Sequence, residues 1–86
     1  MPPSAPVAVP LTDLESGAVA RLHETRLDDQ TRRFLRSLGL TDASRVRVCK
    51  HGEPLIIQVR TTRIGLSRAV GNGIFVVPDA DPRDAC

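Results

Sequence analysis

The residues of this chain whose side chains are best suited to metal binding or nucleophilic chemistry are Cys49 and His51. They lie two positions apart in a strand-like stretch. Side chains at i and i+2 of a strand point to one face, so a thiolate and an imidazole here could share a metal ion or form a reactive pair. A closed zinc site needs four ligands, and only His23, Cys86 and scattered carboxylates remain to complete one. The favoured alternative is an outward-facing pair at a strand end. Cys49 and His51 are therefore weak metal-ligand candidates.

No other stretch carries a recognisable catalytic pattern. The serines stand in turn or helix contexts without an activating base. The Gly-Asn-Gly run at 71–73 lacks the lysine and the strand–loop–helix context of a phosphate-binding loop. The paired carboxylates Asp28-Asp29 and Asp79/Asp81 fall at a predicted helix start and in the tail, where capping and solvation explain them better than acid–base catalysis. The chain is predicted not to be an enzyme.

Length and composition narrow the class of protein. The 86 residues, 41% of them hydrophobic, allow one domain with a modest core. Twelve basic and ten acidic residues leave a net charge of +2, and Trp and Tyr are absent, which disfavours nucleic-acid binding. No run is apolar enough to be inserted in a membrane, and no signal peptide is recognisable, so a cytoplasmic location is expected. Two cysteines do not indicate a disulfide framework, and Cys49 is expected to be reduced.

Alternating apolar residues predict the strands. The stretch from Val46 to Val77 contains several short apolar runs that are separated by Gly, Pro and Thr turn signals. A turn is expected at Thr61-Thr62 and a break at the glycines of 71–73. An earlier strand is predicted around Ala20, with small residues on its inner side. A sheet this short must protect its edges, and closure into a barrel is the usual solution.

One helix is predicted between the first strand and the rest. Asp28 or Asp29 offers an N-cap, and Gly39 stands where a left-handed C-cap would end the helix. Its apolar stripe, which is expected to cover one side of the barrel, is Thr31, Phe34, Leu35 and Leu38. Its arginines Arg32, Arg33 and Arg36 either form a basic face for an acidic partner or are simply solvated, and the second alternative is the commoner one.

These elements predict a mainly β fold, a small antiparallel barrel with one short α-helix inserted after the first strand. The predicted boundaries are a Pro-rich flexible leader at 1–10, the barrel at 11–77 and a flexible acidic tail at 78–86.

Several spaced motifs together resemble the ferrous-iron transport protein A (FeoA-type) family, and this resemblance implies that the antiparallel barrel is SH3-like. They extend from Leu11 to Val77, and their order and spacing are more specific than any one of them. The motifs are Leu11-x-x-Leu14-x-x-Gly17-x-x-Ala20-x-Leu22, Phe34-Leu35-x-x-Leu38-Gly39-Leu40, Arg45-Val46-x-Val48, Gly52-x-Pro54-Leu55, Val59, Ile64-x-Leu66 and Ile74-x-Val76. The family's Pro-Gly turn after the helix is replaced by Asp42-Ala43, and its usual alanine before the last strand by Gly71.

The resemblance implies a non-catalytic accessory or regulatory protein of ferrous iron uptake, with no resident cofactor and at most transient ferrous iron or zinc. The implied partner is the cytoplasmic GTPase domain of the large (FeoB-type) iron permease, with recruitment to the inner face of the membrane. Two alternatives stay open: a metal-responsive sensor that uses Cys49 and His51, and a generic SH3-like adaptor.

The residues themselves predict where a partner would bind. A barrel with exposed hairpin edges offers β-augmentation or groove binding to a peptide segment. The predicted contact set consists of outward hairpin residues: Arg47, Lys50, His51, Arg60 and Arg63.

Overall fold

The computed structural model describes residues 7–41 and 44–78. Most of the predicted leader and tail, and the turn at Asp42-Ala43, lie outside these ranges. Within these two ranges, six strands and two α-helices follow one another, with a short 3-10 turn at Leu11–Asp13. The elements are β1 Val9–Pro10, β2 Val19–Thr25, α1 Asp29–Ser37, β3 Arg45–Lys50, β4 Leu55–Val59, β5 Thr62–Leu66, α2 Arg68–Asn72 and β6 Ile74–Pro78.

All six strands form one antiparallel sheet in the order β1-β6-β2-β3-β4-β5. The predicted mainly β fold is confirmed. The boundary predicted at residue 10 was wrong, because Val9 and Pro10 pair with Val76 and Phe75 of β6. Proline can occupy this position because β1 lies at the end of the sheet, where its missing N–H interrupts no ladder.

The sheet curls around a single apolar core. Leu11, beside the first strand in the sheet order, and Leu66, in the last, belong to the same buried cluster. The inward positions of the strands alternate as period-two patterning requires, and Val48, Ile57, Ile74 and Val76 are all 0% exposed. The core is thus aliphatic, as a sequence without Trp or Tyr demands.

Helix α1 begins and ends where its caps place it. The carboxylate of Asp28 accepts a hydrogen bond of 3.1 Å from the Thr31 amide. At the other end Gly39 has a φ of 106° and donates to the Arg36 carbonyl, while Leu40 donates to the Leu35 carbonyl. This pair of bonds is a Schellman motif, which requires the left-handed conformation that glycine adopts without strain.

The predicted apolar stripe of α1 is only partly correct. Leu35 is 2% exposed and Leu38 is half-buried against the core, but Phe34 is 61% exposed. The reason is the helical period: Phe34 lies about 100° around the axis from Leu35, and a nine-residue helix resting on the sheet buries a narrower stripe than that.

Helix α2 was not predicted, because glycines at 71 and 73 were interpreted as a break. Ser67 caps it by accepting from the Val70 amide. Gly71 is helical and buried, and a Cβ there would lie 2.9 Å from Leu55 Cδ2 and 3.1 Å from Thr12 Cγ2. Glycine is needed at this position for close packing between α2, β4 and the 3-10 turn.

Candidate functional site

The outer face of the sheet carries four arginines, which lie on three of its strands. Arg47 of β3 lies opposite Gln58 of β4, which in turn lies opposite Arg63 of β5. On the other side, Arg45 lies opposite Arg21 of β2. Paired residues share a face of the sheet, so Arg21, Arg45, Arg47 and Arg63 all project outward. We call these four residues the outer basic face.

The positive charge of this face is not balanced by acidic side chains of the neighbouring strands. None of the outward positions of β3, β4 and β5 is acidic. Arg21 and Arg45 are directly opposite, an arrangement of like charges that is unfavourable unless an anion or solvent intervenes. Arg47 is half-buried, and both Arg45 and Arg47 are engaged by interaction partners, whereas Arg21 and Arg63 are exposed. The face therefore favours ligands with negative charge.

The structure divides the predicted contact set into two groups. Arg47 and Arg63 flank Gln58, whose Nε2 donates a 2.9 Å hydrogen bond to the Arg60 carbonyl, so these three arginines lie around one side chain. Lys50 and His51 lie at the opposite end of the β3–β4 hairpin. Arg21 and Arg45 belong to the site but were not predicted, because the register between strands cannot be read from a single sequence. The alternation of the strand did indicate that Arg21 points outward, and this was the sequence pattern that could have identified it.

His51 has a structural role, because both its backbone amide and its ring form hydrogen bonds to other parts of the chain. Its backbone amide donates to Ser16 Oγ at 3.1 Å, and its ring Nε2 lies 2.9 Å from the Thr12 carbonyl oxygen, to which it can donate. The imidazole therefore ties the start of the β3–β4 connection to the 3-10 turn. Among residues 7–41 and 44–78, no three His, Cys, Asp or Glu side chains gather in a way that could hold a metal ion.

Cys49 is disulfide-bonded in the structure, so the expectation of a reduced thiol was wrong. Its partner lies outside the described residues. The residue occupies the bulge between Val48 and Lys50, where β3 has one residue more than β4. Its Sγ lies 3.9 Å from Gln58 Oε1, which places the sulfur on the same side of the sheet as the outer basic face.

Two carboxyl groups elsewhere have perturbed acidities. The hydrogen bond from Arg26 Nε, 2.8 Å long, and the charge of that guanidinium lower the pKa of Glu24. The Thr31 hydroxyl and amide, both donating to Asp28, lower the pKa of that N-cap carboxyl. Arg26 also stacks over Phe75 at 4.7 Å from the ring centroid. Each group has a structural partner that explains its shift, and neither lies among the arginines of the outer basic face.

Helix α1 presents a second basic surface. Arg32, Arg33 and Arg36 are all exposed, and Arg32 forms an ion pair with Asp29 one turn earlier. These arginines lie on α1, whereas the outer basic face lies on the strands, so a substitution among them is a charge-matched control. Within the described ranges no helix has the length and apolar character needed to cross a bilayer.

The outer basic face and a neighbouring edge strand together offer a binding surface. The outer basic face is broad, and β5 lies at the end of the sheet order, with only β4 as its strand neighbour. An edge strand next to a charged surface can accept an extended acidic segment, because backbone pairing supplies affinity while the arginines supply charge complementarity.

Comparisons with known proteins agree with this architecture. The FeoA domain matches residues 9–78. A zinc-complexed FeoA of Stenotrophomonas maltophilia, described as a prokaryotic SH3 domain protein and a candidate activating factor of ferrous iron transport, is 31% identical, with a TM-score of 0.69 over 91% of this chain and 98% of that one. An iron uptake regulatory protein (FeoA) is 23% identical, with a TM-score of 0.77 over 85% of this chain and 100% of that one.

The fold also occurs inside larger proteins. A manganese-dependent transcriptional repressor, 22% identical with a TM-score of 0.78, is matched over 88% of this chain but only 44% of its own length. The comparison with curated proteins gave no significant match. The match to the FeoA domain covers all six strands and both helices, and the chain therefore belongs to the FeoA domain family, which is associated with ferrous iron transport.

Proposed function

We propose that this protein is a non-catalytic accessory factor of ferrous iron uptake that binds the cytoplasmic GTP-binding domain of an iron permease through its outer basic face. The observation that carries the proposal is the group of four arginines that strands β2, β3 and β5 place on one face of an SH3-like sheet. Family membership supplies the iron-transport context, and the Stenotrophomonas relative is itself described as a candidate activating factor of that transport.

The physical argument concerns which surface is suited to a protein partner. Interface residues of this kind are enriched in arginine, whose planar guanidinium can pair bidentately with carboxylates. Arg21 and Arg63 are exposed on this face, so their guanidinium groups can reach the carboxylates of a partner. In this proposal the protein works in the cytoplasm, reaches the membrane only through its partner, and handles ferrous iron as the cargo of that partner.

The test is a titration of the full chain with the permease's GTP-binding domain. Replacement of Arg47 or Arg63 by Glu is expected to weaken binding about tenfold each, a change of ~1.4 kcal/mol. Arg33→Glu, on α1, changes the net charge equally and is expected to leave affinity within about twofold, which corresponds to ~0.4 kcal/mol. Equal weakening by all three variants would show that net charge, and not the outer basic face, governs association. Absence of binding with and without guanine nucleotide would refute the proposed partner.

A further inference from the structure

We propose that the protein partner contributes an extended segment that adds a strand to the sheet along β5, with a large apolar residue over Gly65 and, two positions later, an acidic residue beside Arg63. The inference rests on the proposed function, because it identifies the part of that partner which the outer basic face receives. In the part of the chain that the structure describes, β4 is the one strand beside β5, so strand addition has an edge on which to act.

The β4–β5 hairpin determines which backbone groups of β5 point outward. Val59 and Thr62 flank a loop of two residues and close it as a hydrogen-bonded pair. The ladder between β4 and β5 has no bulge, so the direction of the backbone N–H and C=O groups alternates from residue to residue. Arg63 and Gly65 therefore direct both groups away from β4, whereas Ile64 between them bonds to β4. A strand added at this edge pairs with these two outward residues.

Gly65 is not explained by the fold itself. Glycine weakens a strand, and within strands it commonly marks a bulge, a sharp bend or the close approach of another backbone or ligand. Gly65 lies in a regular ladder, its φ is outside the left-handed region, and a Cβ built on it would meet no atom within 4 Å. It is also exposed. Among these causes, the close approach of another molecule is the one that remains.

Ile56 forms the apolar floor of the space over Gly65. It lies opposite Gly65 on the outer face of β4 and is half-buried there. Because glycine has no side chain, a large side chain of an added strand can lie across Gly65 and reach Ile56. Aromatic residues compensate for glycines in edge strands in this way. The position opposite Gly65 in the added segment therefore favours a large apolar residue.

Charge restricts a second position of the segment. Arg63 is exposed and lies on the same face as Gly65, and Arg60 of the adjoining turn is exposed as well. A carboxylate opposite Arg63 can pair with its guanidinium, while a second copy of β5 would bring another arginine, so charge favours a different, acidic chain. Every strand pair of the described sheet is antiparallel, and an antiparallel segment meets Gly65 before Arg63. The expected motif is apolar-x-acidic, read from N to C.

The first measurement is an NMR titration of the isotope-labelled full chain with the peptide acetyl-Thr-Phe-Thr-Glu-Thr-amide, which supplies one residue opposite each residue of β5. The amide protons of Arg63 and Gly65 are expected to move downfield together, since both gain hydrogen bonds. N-methylation of the phenylalanine or the glutamate removes a donor that faces β5 and is expected to weaken binding at least about tenfold. The same methyl group on the central threonine, whose N–H points away from β5, is expected to change affinity by less than about twofold. Equal effects at the three positions, or an absence of shifts in β5, would overturn strand addition.

Matched changes in protein and peptide test the two side-chain contacts. Arg63→Gln is expected to weaken the glutamate peptide about threefold and to leave the corresponding glutamine peptide within about twofold. Ile56→Thr keeps a β-branched residue in the strand and is expected to weaken the phenylalanine peptide about threefold, with the alanine peptide again within about twofold. Arg33→Gln on α1 is the charge-matched control and is expected to leave every peptide unaffected. Losses that do not depend on the residue in the peptide would refute the assigned register.

A competition experiment connects the peptide with the partner. The peptide is expected to displace the permease's GTP-binding domain from the full chain, and the N-methyl-phenylalanine peptide is expected to leave it bound. Simultaneous binding of peptide and domain would overturn the inference and leave the proposed function standing. Binding of the peptide without any binding of the domain would support strand addition at β5 and refute the proposed partner. The same shifts on concentrating the chain alone would assign the edge to a second copy and overturn the inference.

Discussion

Two adjacent residues of α1 provide the sharpest test of how the helix is held on the barrel. Leu35 is 2% exposed, while Phe34 is 61% exposed. Truncating Leu35 to Ala removes three buried carbons at ~0.8 kcal/mol each, about 2.4 kcal/mol. The part of the cavity that does not collapse adds further cost, so a loss of about 3–4 kcal/mol is expected, within the usual range for such changes. This is a large share of the ~5–15 kcal/mol that stabilises a typical domain.

Phe34→Ala is expected to behave differently. About two-fifths of the Phe34 surface is buried, so the loss of packing is at most ~1 kcal/mol, and the better helix propensity of Ala offsets several tenths of it. Urea unfolding of both variants measures the free energies, with an unchanged m-value as the control for comparable unfolding. The melting temperature is expected to fall by on the order of 12–32 °C for Leu35→Ala and by under ~4 °C for Phe34→Ala. Similar losses in the two variants would refute the placement of α1.

Three further perturbations test local geometry. Gly73→Ala is expected to lower the free energy of unfolding in urea by ~1–3 kcal/mol, because its Cβ would lie 2.6 Å from Leu27 Cδ2 and 3.0 Å from the Arg26 carbonyl oxygen. Gly65→Ala, which has open space around it, is expected to be neutral or stabilising. A larger loss for Gly65→Ala than for Gly73→Ala would contradict this packing. Arg60→Gly is expected to raise stability by about 0.5–1 kcal/mol by calorimetry, because Arg60 has a φ of 58°, and a loss would show that its side chain holds the turn. The pKa of Asp28 is lowered in the folded protein, so its carboxylate contributes stability above the ordinary Asp pKa of about 4 and loses it as pH falls through the lowered folded-state value. Asp28→Asn removes this titration, and parallel acid-unfolding curves for the two proteins would contradict the N-cap's role.

The patterns that the sequence predicts best are those fixed by local chemistry. The Asp28 N-cap and the Gly39 C-cap were both predicted from residue type, because each satisfies backbone groups that any helix leaves unpaired. The β4–β5 turn was placed at Thr61-Thr62 but is centred on Arg60-Thr61, since a non-glycine residue in the left-handed region has no strong sequence signal.

Tertiary contacts account for what the sequence did not predict. Gly71 resembles a chain break in the sequence, yet it is helical, and a glycine is needed there because Leu55 and Thr12 approach too closely for a side chain. The predicted contact set likewise combined residues from the two ends of one hairpin. Alternation predicts which face of the sheet a side chain occupies, but it does not predict the register between neighbouring strands. Arg21 and Arg45 became part of the site only through their pairing across β2 and β3.

The measurement that tests the central claim most directly is an NMR titration of the isotope-labelled full chain with the permease's GTP-binding domain. The account predicts that backbone signals of Arg47, Gln58 and Arg63 shift or broaden together at substoichiometric partner, while those of α1 around Arg33 keep their positions. Perturbations centred on α1, with β3, β4 and β5 unaffected, would contradict the outer basic face as the binding surface.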